Sequence, residues 1–193
     1  MIEYLFKTDE ATQIKAGKWT GTEVYWKREK GTLFFIIPGS EHFKNSSGRL
    51  DWFFNALIIP FPSVIFKGII HLGFWLKSIS VISEILKCAE EQNPDKIVFV
   101  GHSAGGAVCL LCHRAICGDY DSESHAYGTP APLWLWPFFL KDKKSKVYRN
   151  GWDLVPYSIS IFLYSHGCEI EGKGKSINLF EDHMPGMYRE TFK

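Results

Sequence analysis

Ile97-Val98-Phe99-Val100-Gly101-His102-Ser103-Ala104-Gly105-Gly106-Ala107 is the stretch on which the fold is decided. Four consecutive apolar residues, 97–100, fit a strand covered on both faces, as in a parallel sheet with helices on each side. Residues 101–106 then read as a tight turn, and 107–116 as a buried helix stopped by Gly118. Within the turn, Gly101-His102-Ser103-Ala104-Gly105 matches G-x-S-x-G. Strand, turn and helix in that order are the context in which this pattern forms a nucleophile elbow. A serine there projects its hydroxyl from the sheet edge, and the helix that begins at it aims free N–H groups at a developing oxyanion. The competing reading is a glycine-rich turn with an N-cap serine. A phosphate loop is disfavoured, because no Lys-Ser or Lys-Thr follows the glycines.

Upstream, residues 23–28 and 32–37 read as two strands joined by Glu29-Lys30-Gly31. Leu33-Phe34-Phe35-Ile36-Ile37 is apolar throughout, so it is also expected between two layers. Pro38-Gly39-Ser40 stops it. From about 63 to 91 the pattern is helical with an interruption at Gly73; Ile79, Ile82, Ile85 and Leu86 share one face. Asn93-Pro94 ends that helix. Downstream, 124–127 reads as a short strand before Gly128-Thr129-Pro130. Residues 134–140 read as a short helix or loop, and 146–149 as a strand ended by Asn150-Gly151. Residues 168–171 and 176–179 read as a hairpin around Gly172-Lys173-Gly174. Strands alternating with helices predict an α/β fold in one domain, 1–193, with a mostly parallel sheet flanked by helices.

Composition limits the function classes. A chain of 193 residues can bury one sizeable core. The net charge is +1. With no basic stripe and no paired-cysteine spacing, neither a nucleic-acid partner nor a metal is expected. Aromatic residues make up 16%, which fits either a Phe-rich core or an apolar surface that meets lipid. The five cysteines are odd in number, which predicts reduced thiols and favours a cytoplasmic setting. Cys109 and Cys112 are expected as buried thiols. Residues 1–10 lack the apolar stretch of a secretory leader. The greasiest segment, 52–76, is interrupted by Pro60, Pro62, Lys67 and His71, so no spanning helix is expected there. Transient contact with a membrane or lipid interface stays open, and so does the oligomeric state.

A serine nucleophile needs a base and an acid. On an elbow of this kind they follow in the order Ser, Asp or Glu, His. His183 sits in the loop Glu181-Asp182-His183-Met184-Pro185-Gly186 after an expected strand, a placement suited to a general base. His166 is the rival. It precedes a strand and is therefore expected at the opposite sheet edge. His102 is expected to point away from the serine, and His113 and His125 to be structural. Asp153 follows the strand at 146–149 and is expected to orient the base and stabilise its imidazolium. Asp119 and Asp121 read as turn or solvent residues, and Asp142, among Lys141, Lys143 and Lys144, as part of a solvated charge cluster. The oxyanion donors are expected from the N–H of Ala104 and from Ser40, through its N–H and hydroxyl.

Taken together these segments resemble the class 3 lipases, the fungal-type lipase family of the α/β-hydrolase superfamily. Gly101-His102-Ser103-Ala104-Gly105-Gly106-Ala107 is similar to its nucleophile motif, and Tyr127-Gly128-Thr129-Pro130 to its aromatic-Gly-Ser/Thr-Pro segment. Asn150-Gly151-Trp152-Asp153-Leu154-Val155-Pro156 resembles its acid motif, and Asp182-His183 with Tyr188 its terminal motif. His71-Leu72-Gly73-Phe74 and Tyr164-Ser165-His166-Gly167 resemble two further elements. The resemblance runs from about residue 33 to 188. It implies an α/β-hydrolase fold, ester hydrolysis of lipids by Ser103, Asp153 and His183, no metal or organic cofactor, and a lid at about 41–55. The chain departs from the family at the oxyanion loop, where Pro38-Gly39-Ser40 stands in place of Arg-Gly-Thr/Ser. A phospholipase, thioesterase or acyltransferase on the same scaffold, or a silent lipid-binding protein, are the alternatives.

Overall fold

Two all-apolar segments form neighbouring central strands because each residue finds a covered face. In the computed structural model Thr32–Ile37 lies parallel to Lys96–His102, with Leu33 opposite Ile97 and Ile37 opposite Gly101. The structure describes residues 1–6, 8–15, 17, 19–39, 55, 57–134, 142–158, 164–174 and 181–192.

In chain order the strands and helices are β1 (Thr12–Ile14), β2 (Val24–Glu29), β3 (Thr32–Ile37), β4 (Pro60–Ser63), β5 (Gly68–His71), α1 (Leu72–Gln92), β6 (Lys96–His102), α2 (Ser103–Ile116), β7 (Ser122–Tyr127), β8 (Leu133–Trp134), β9 (Asp142–Asn150), β10 (Tyr164–Ser165), β11 (Cys168–Lys173) and α3 (Pro185–Thr191). Among the described residues, seven strands form a main sheet in the order β1-β2-β3-β6-β7-β9-β11. It is parallel from β3 to β11 and antiparallel at β1 and β2. The result is the expected α/β arrangement, a mostly parallel sheet with helices against it.

One face packs Leu33, Phe35, Ile37, Ile97 and Phe99 against α1 and α2 through Val81, Ile85, Val108 and Cys112. The other face carries Phe34, Val98 and Val100, covered by Ile2 of an N-terminal 3-10 helix and by Tyr188 of α3. Burial on both faces explains why neither β3 nor β6 alternates apolar with polar residues. The five cysteines are all free thiols. No helix among the described residues is long and apolar enough to cross a membrane.

Several sequence expectations are corrected. The helix expected from 63 begins only at Leu72; before it, β4 and β5 form an antiparallel hairpin. Lys67 adopts a left-handed φ of 54° at its turn. The hairpin belongs to a second sheet, β10-β8-β5-β4, so long-range pairing overrides the local helical pattern. β11 pairs in parallel with β9, and the expected second hairpin arm, 176–179, lies outside the described residues. The expected short helix or loop at 134–140 begins instead as strand β8; residues 135–140 also lie outside the described residues.

Asp142 is not part of a solvated charge cluster. Its Oδ2 lies 2.8 Å from Nε2 of the buried His113 and accepts from Ser145 Oγ at 2.6 Å. His113 Nδ1 meets Ser122 Oγ at 2.9 Å, so this polar chain links α2 to β7 and β9. Burial alone would raise the Asp142 carboxyl, but the hydrogen bonds from His113 and Ser145 outweigh it and hold it well below the usual carboxylate range. A depressed folded-state pKa stabilises the protein above the unfolded value of about 4, and that contribution is lost as pH falls toward the folded value. Asp142→Asn is expected to cost about 1–3 kcal/mol at neutral pH. In urea unfolding, its deficit against the native chain should shrink below about pH 4.

Candidate active site

Register brings four strand ends to one edge of the main sheet. Ile37 is opposite Gly101, His102 opposite Tyr127, and Tyr127 opposite Tyr148. The segments after β3, β6, β7 and β9 therefore emerge side by side, at the carboxyl ends where open α/β sheets build their sites.

Ser103 occupies the turn from β6 into α2 with φ 51°, a left-handed conformation that costs a non-glycine residue energy. The turn is possible because α2 comes very close to β3. A Cβ on Gly105 would overlap the carbonyl oxygens of Ile37 and Pro38. Thr129 Oγ1 donates to the Ser103 carbonyl at 2.8 Å, tying the turn to the end of β7. Ala104 lies in the first turn of α2, where helix geometry leaves N–H groups without an intrahelical acceptor.

His183 Nε2 lies 3.1 Å from Ser103 Oγ, and His183 Nδ1 lies 2.9 Å from Asp153 Oδ2. Asp153 is fully buried. Its Oδ1 accepts from the Val155 N–H at 2.9 Å, and its Oδ2 also accepts from Tyr188 Oη at 2.5 Å. Burial first, and then the Asp153 charge, push the Tyr188 hydroxyl far above its ordinary range, so it remains a donor. Gly128 runs directly beneath this group. It has φ 55°, and a Cβ on it would lie 2.7 Å from Asp153 Oδ2 and 3.0 Å from His183 Nδ1. Asp182, next to the imidazole, is clamped to the acid loop: its Oδ2 accepts from Trp152 N–H at 2.8 Å, and its carbonyl accepts from Asn150 Nδ2 at 3.3 Å.

Two histidine expectations fail. His166 is not at the opposite edge. It is buried behind the elbow, donating from Nε2 to the Thr129 carbonyl at 2.8 Å, and burial pushes it down to about 4. His102 does not point away. Its Nε2 reaches the His183 carbonyl at 2.7 Å. Both positions are decided by loops that fold over the strand ends. Asn150, Asp182 and Tyr188 stood within quoted motifs, but residue spacing gave none of their contacts. Ser40 lies outside the described residues, as does the segment 41–55 apart from Asn55; Gly39 is at the elbow, against Ser103 Cβ.

Chemically, the arrangement is a hydroxyl within hydrogen-bond reach of an imidazole that is oriented by a buried carboxylate. Ser122, His113 and Asp142 repeat the same three residue types, but Ser122 and His113 are buried, so no substrate can reach that hydroxyl.

A family model described as lipase (class 3) matches residues 40–131. Lipase II from Rhizopus niveus aligns with a TM-score of 0.67 and 18% identity, over 88% of this chain and 68% of that one. A triacylglycerol lipase from Penicillium expansum aligns with a TM-score of 0.62 and 21% identity, over 85% and 69%. A fungal lipase–inhibitor complex described as a model for interfacial activation gives 0.61 and 19%, over 81% and 64%. The chain thus spans about two thirds of the length of these structures. No curated protein matches it by sequence. The fold is that of the α/β hydrolases, and a class 3 lipase pattern covers just under half of the chain.

Tyr188→Phe removes one donor from a buried carboxylate and leaves the ring in place. A hydrogen bond to a charged group supports a loss of about 1.5–3 kcal/mol, to be read from urea unfolding at neutral pH.

Proposed function

We propose that this chain hydrolyses carboxylic esters of lipids through an acyl-enzyme. The observation that carries the proposal is the 3.1 Å approach of His183 Nε2 to the hydroxyl of a serine held in a left-handed elbow. In the first half-reaction Ser103 Oγ attacks the ester carbonyl carbon as His183 Nε2 takes its proton. The tetrahedral oxyanion is met by the N–H of Ala104, with Ser40 as the second donor. Asp153 keeps the imidazole in the Nδ1–H tautomer and stabilises the imidazolium. The C–O bond to the alcohol then breaks, and His183 returns the proton to the leaving oxygen. In the second half-reaction water adds to the acyl carbon as His183 takes its proton, and Ser103 leaves with that proton restored. Chain residues serve every proton transfer in this sequence.

A lipid substrate is supported by what surrounds the site. Trp152, Leu154, Tyr157 and Met184 lie on the loops that carry Asp153 and His183, and each is at least two-fifths exposed. An apolar rim of that kind suits an acyl chain or a lipid surface better than a soluble metabolite. The similar structures include a triacylglycerol lipase and a lipase–inhibitor complex described as a model for interfacial activation in lipases.

Ser103→Ala is expected to lower kcat on a short-chain ester by more than about 10³-fold, leave the melting temperature in place, and abolish labelling by a fluorophosphonate. Undiminished turnover refutes the assignment. With esters of graded chain length, the native enzyme is expected to gain rate as the substrate passes its solubility limit. A rate that saturates below that limit instead indicates a soluble esterase.

A further inference from the structure

His102 precedes the nucleophile in the chain, yet its side chain reaches the base. It ends β6 with an extended backbone, φ −126° and ψ 146°. Its Nε2 lies 2.7 Å from the backbone carbonyl oxygen of His183. A carbonyl oxygen only accepts, so this Nε2 carries the hydrogen. The ring is buried, and its pKa is pushed down to about 4, first by burial and then by the neighbouring His183. It is therefore neutral near pH 7, and Nδ1 is bare. The two imidazole centres are 4.9 Å apart, and the Tyr188 ring stands edge-on to His102 at 5.9 Å. On its other side His102 Nδ1 adjoins Gly39, where an added Cβ would be 3.0 Å away.

These contacts close a small ring. The covalent chain links His102 to Ser103. Ser103 Oγ meets His183 Nε2 at 3.1 Å, and the His183 carbonyl returns to His102 at 2.7 Å. Other anchors of the base loop among the described residues run from Asp182 to Asn150 and Trp152 on the acid side. They bear on the distance from base to acid rather than on the distance from base to nucleophile. The Ser103–His183 hydrogen bond cannot set that distance by itself, because it breaks during each turnover. We propose that His102 is a positioning residue that fixes the spacing of His183 from Ser103 by holding the His183 backbone carbonyl against the nucleophile's own strand. This rests on the reading of Ser103 and His183 as nucleophile and base.

The test compares His102→Gln with His102→Asn on a soluble short-chain ester. Glutamine carries an amide N–H at about the reach of Nε2, and asparagine falls one methylene short. Misplacing a base by about 1 Å costs up to about 10²-fold. The Asn variant is therefore expected to lose about 10- to 100-fold in kcat with KM unchanged, and the Gln variant to recover most of it. Full kcat in the Asn variant, equal losses in both, or a loss confined to KM overturns the proposal. Ser103→Ala, run alongside, separates the two ideas. If Ser103→Ala is inactive while the Asn variant keeps full kcat, the tie alone fails. If Ser103→Ala stays active, both fail. Nitrogen NMR of the ¹⁵N-histidine-labelled native enzyme gives a readout that needs no variant to be stable. His102 is expected as the Nε2–H tautomer, and an Nδ1–H tautomer overturns the tie.

Discussion

A serine held in the left-handed region is the constraint on which the site depends. An L-residue loses of the order of 1–2 kcal/mol in that conformation, so the surroundings must leave it no alternative. They do so by packing. β6 is locked between β3 and β7, and α2 starts immediately against the carbonyl ends of β3, where only a glycine at 105 fits. Thr129 holds the Ser103 carbonyl from the far side, and His166 in turn holds Thr129. The hydroxyl is thereby presented at the sheet edge.

The same edge gathers groups that are far apart in the chain. Asp153 comes after β9, His183 from a loop thirty residues later, and the Tyr188 hydroxyl that supports the carboxylate from α3. Burying a carboxylate such as Asp153 is costly unless its lone pairs are filled. Here the Val155 N–H, the His183 ring and the Tyr188 hydroxyl fill them. Gly128 lets β7 end close enough for all three to converge. The site is thus held by a buried polar network rather than by surface ion pairs, which contribute little.

The contrast with the His113–Asp142 chain shows what makes a polar cluster chemical. Both chains join a serine, a histidine and an aspartate by bonds of ordinary length. In one, linking α2, β7 and β9, the serine and the histidine are both buried. The other lies at the strand ends, with its imidazole partly exposed and apolar side chains around it. Residue identity is the same; access differs.

The sequence by itself determined the features that are local. Two unbroken apolar runs specified strands buried on both faces, and a glycine-flanked serine between strand and helix specified the elbow, because those signals depend only on nearest neighbours along the chain. Ser103, Asp153 and His183 could be proposed from the sequence because each follows a recognisable strand or motif in a fixed order. Tertiary structure alone decided the rest. Residues 60–71 became a hairpin because a second sheet offered them partners far along the chain. Asp142 joined a buried polar chain because His113, nearly thirty residues earlier, was brought against it. His102 turned toward His183 because a loop some eighty residues downstream folds over the end of its strand. Spacing along a sequence carries no information about which loop closes over a strand end; only packing in three dimensions does.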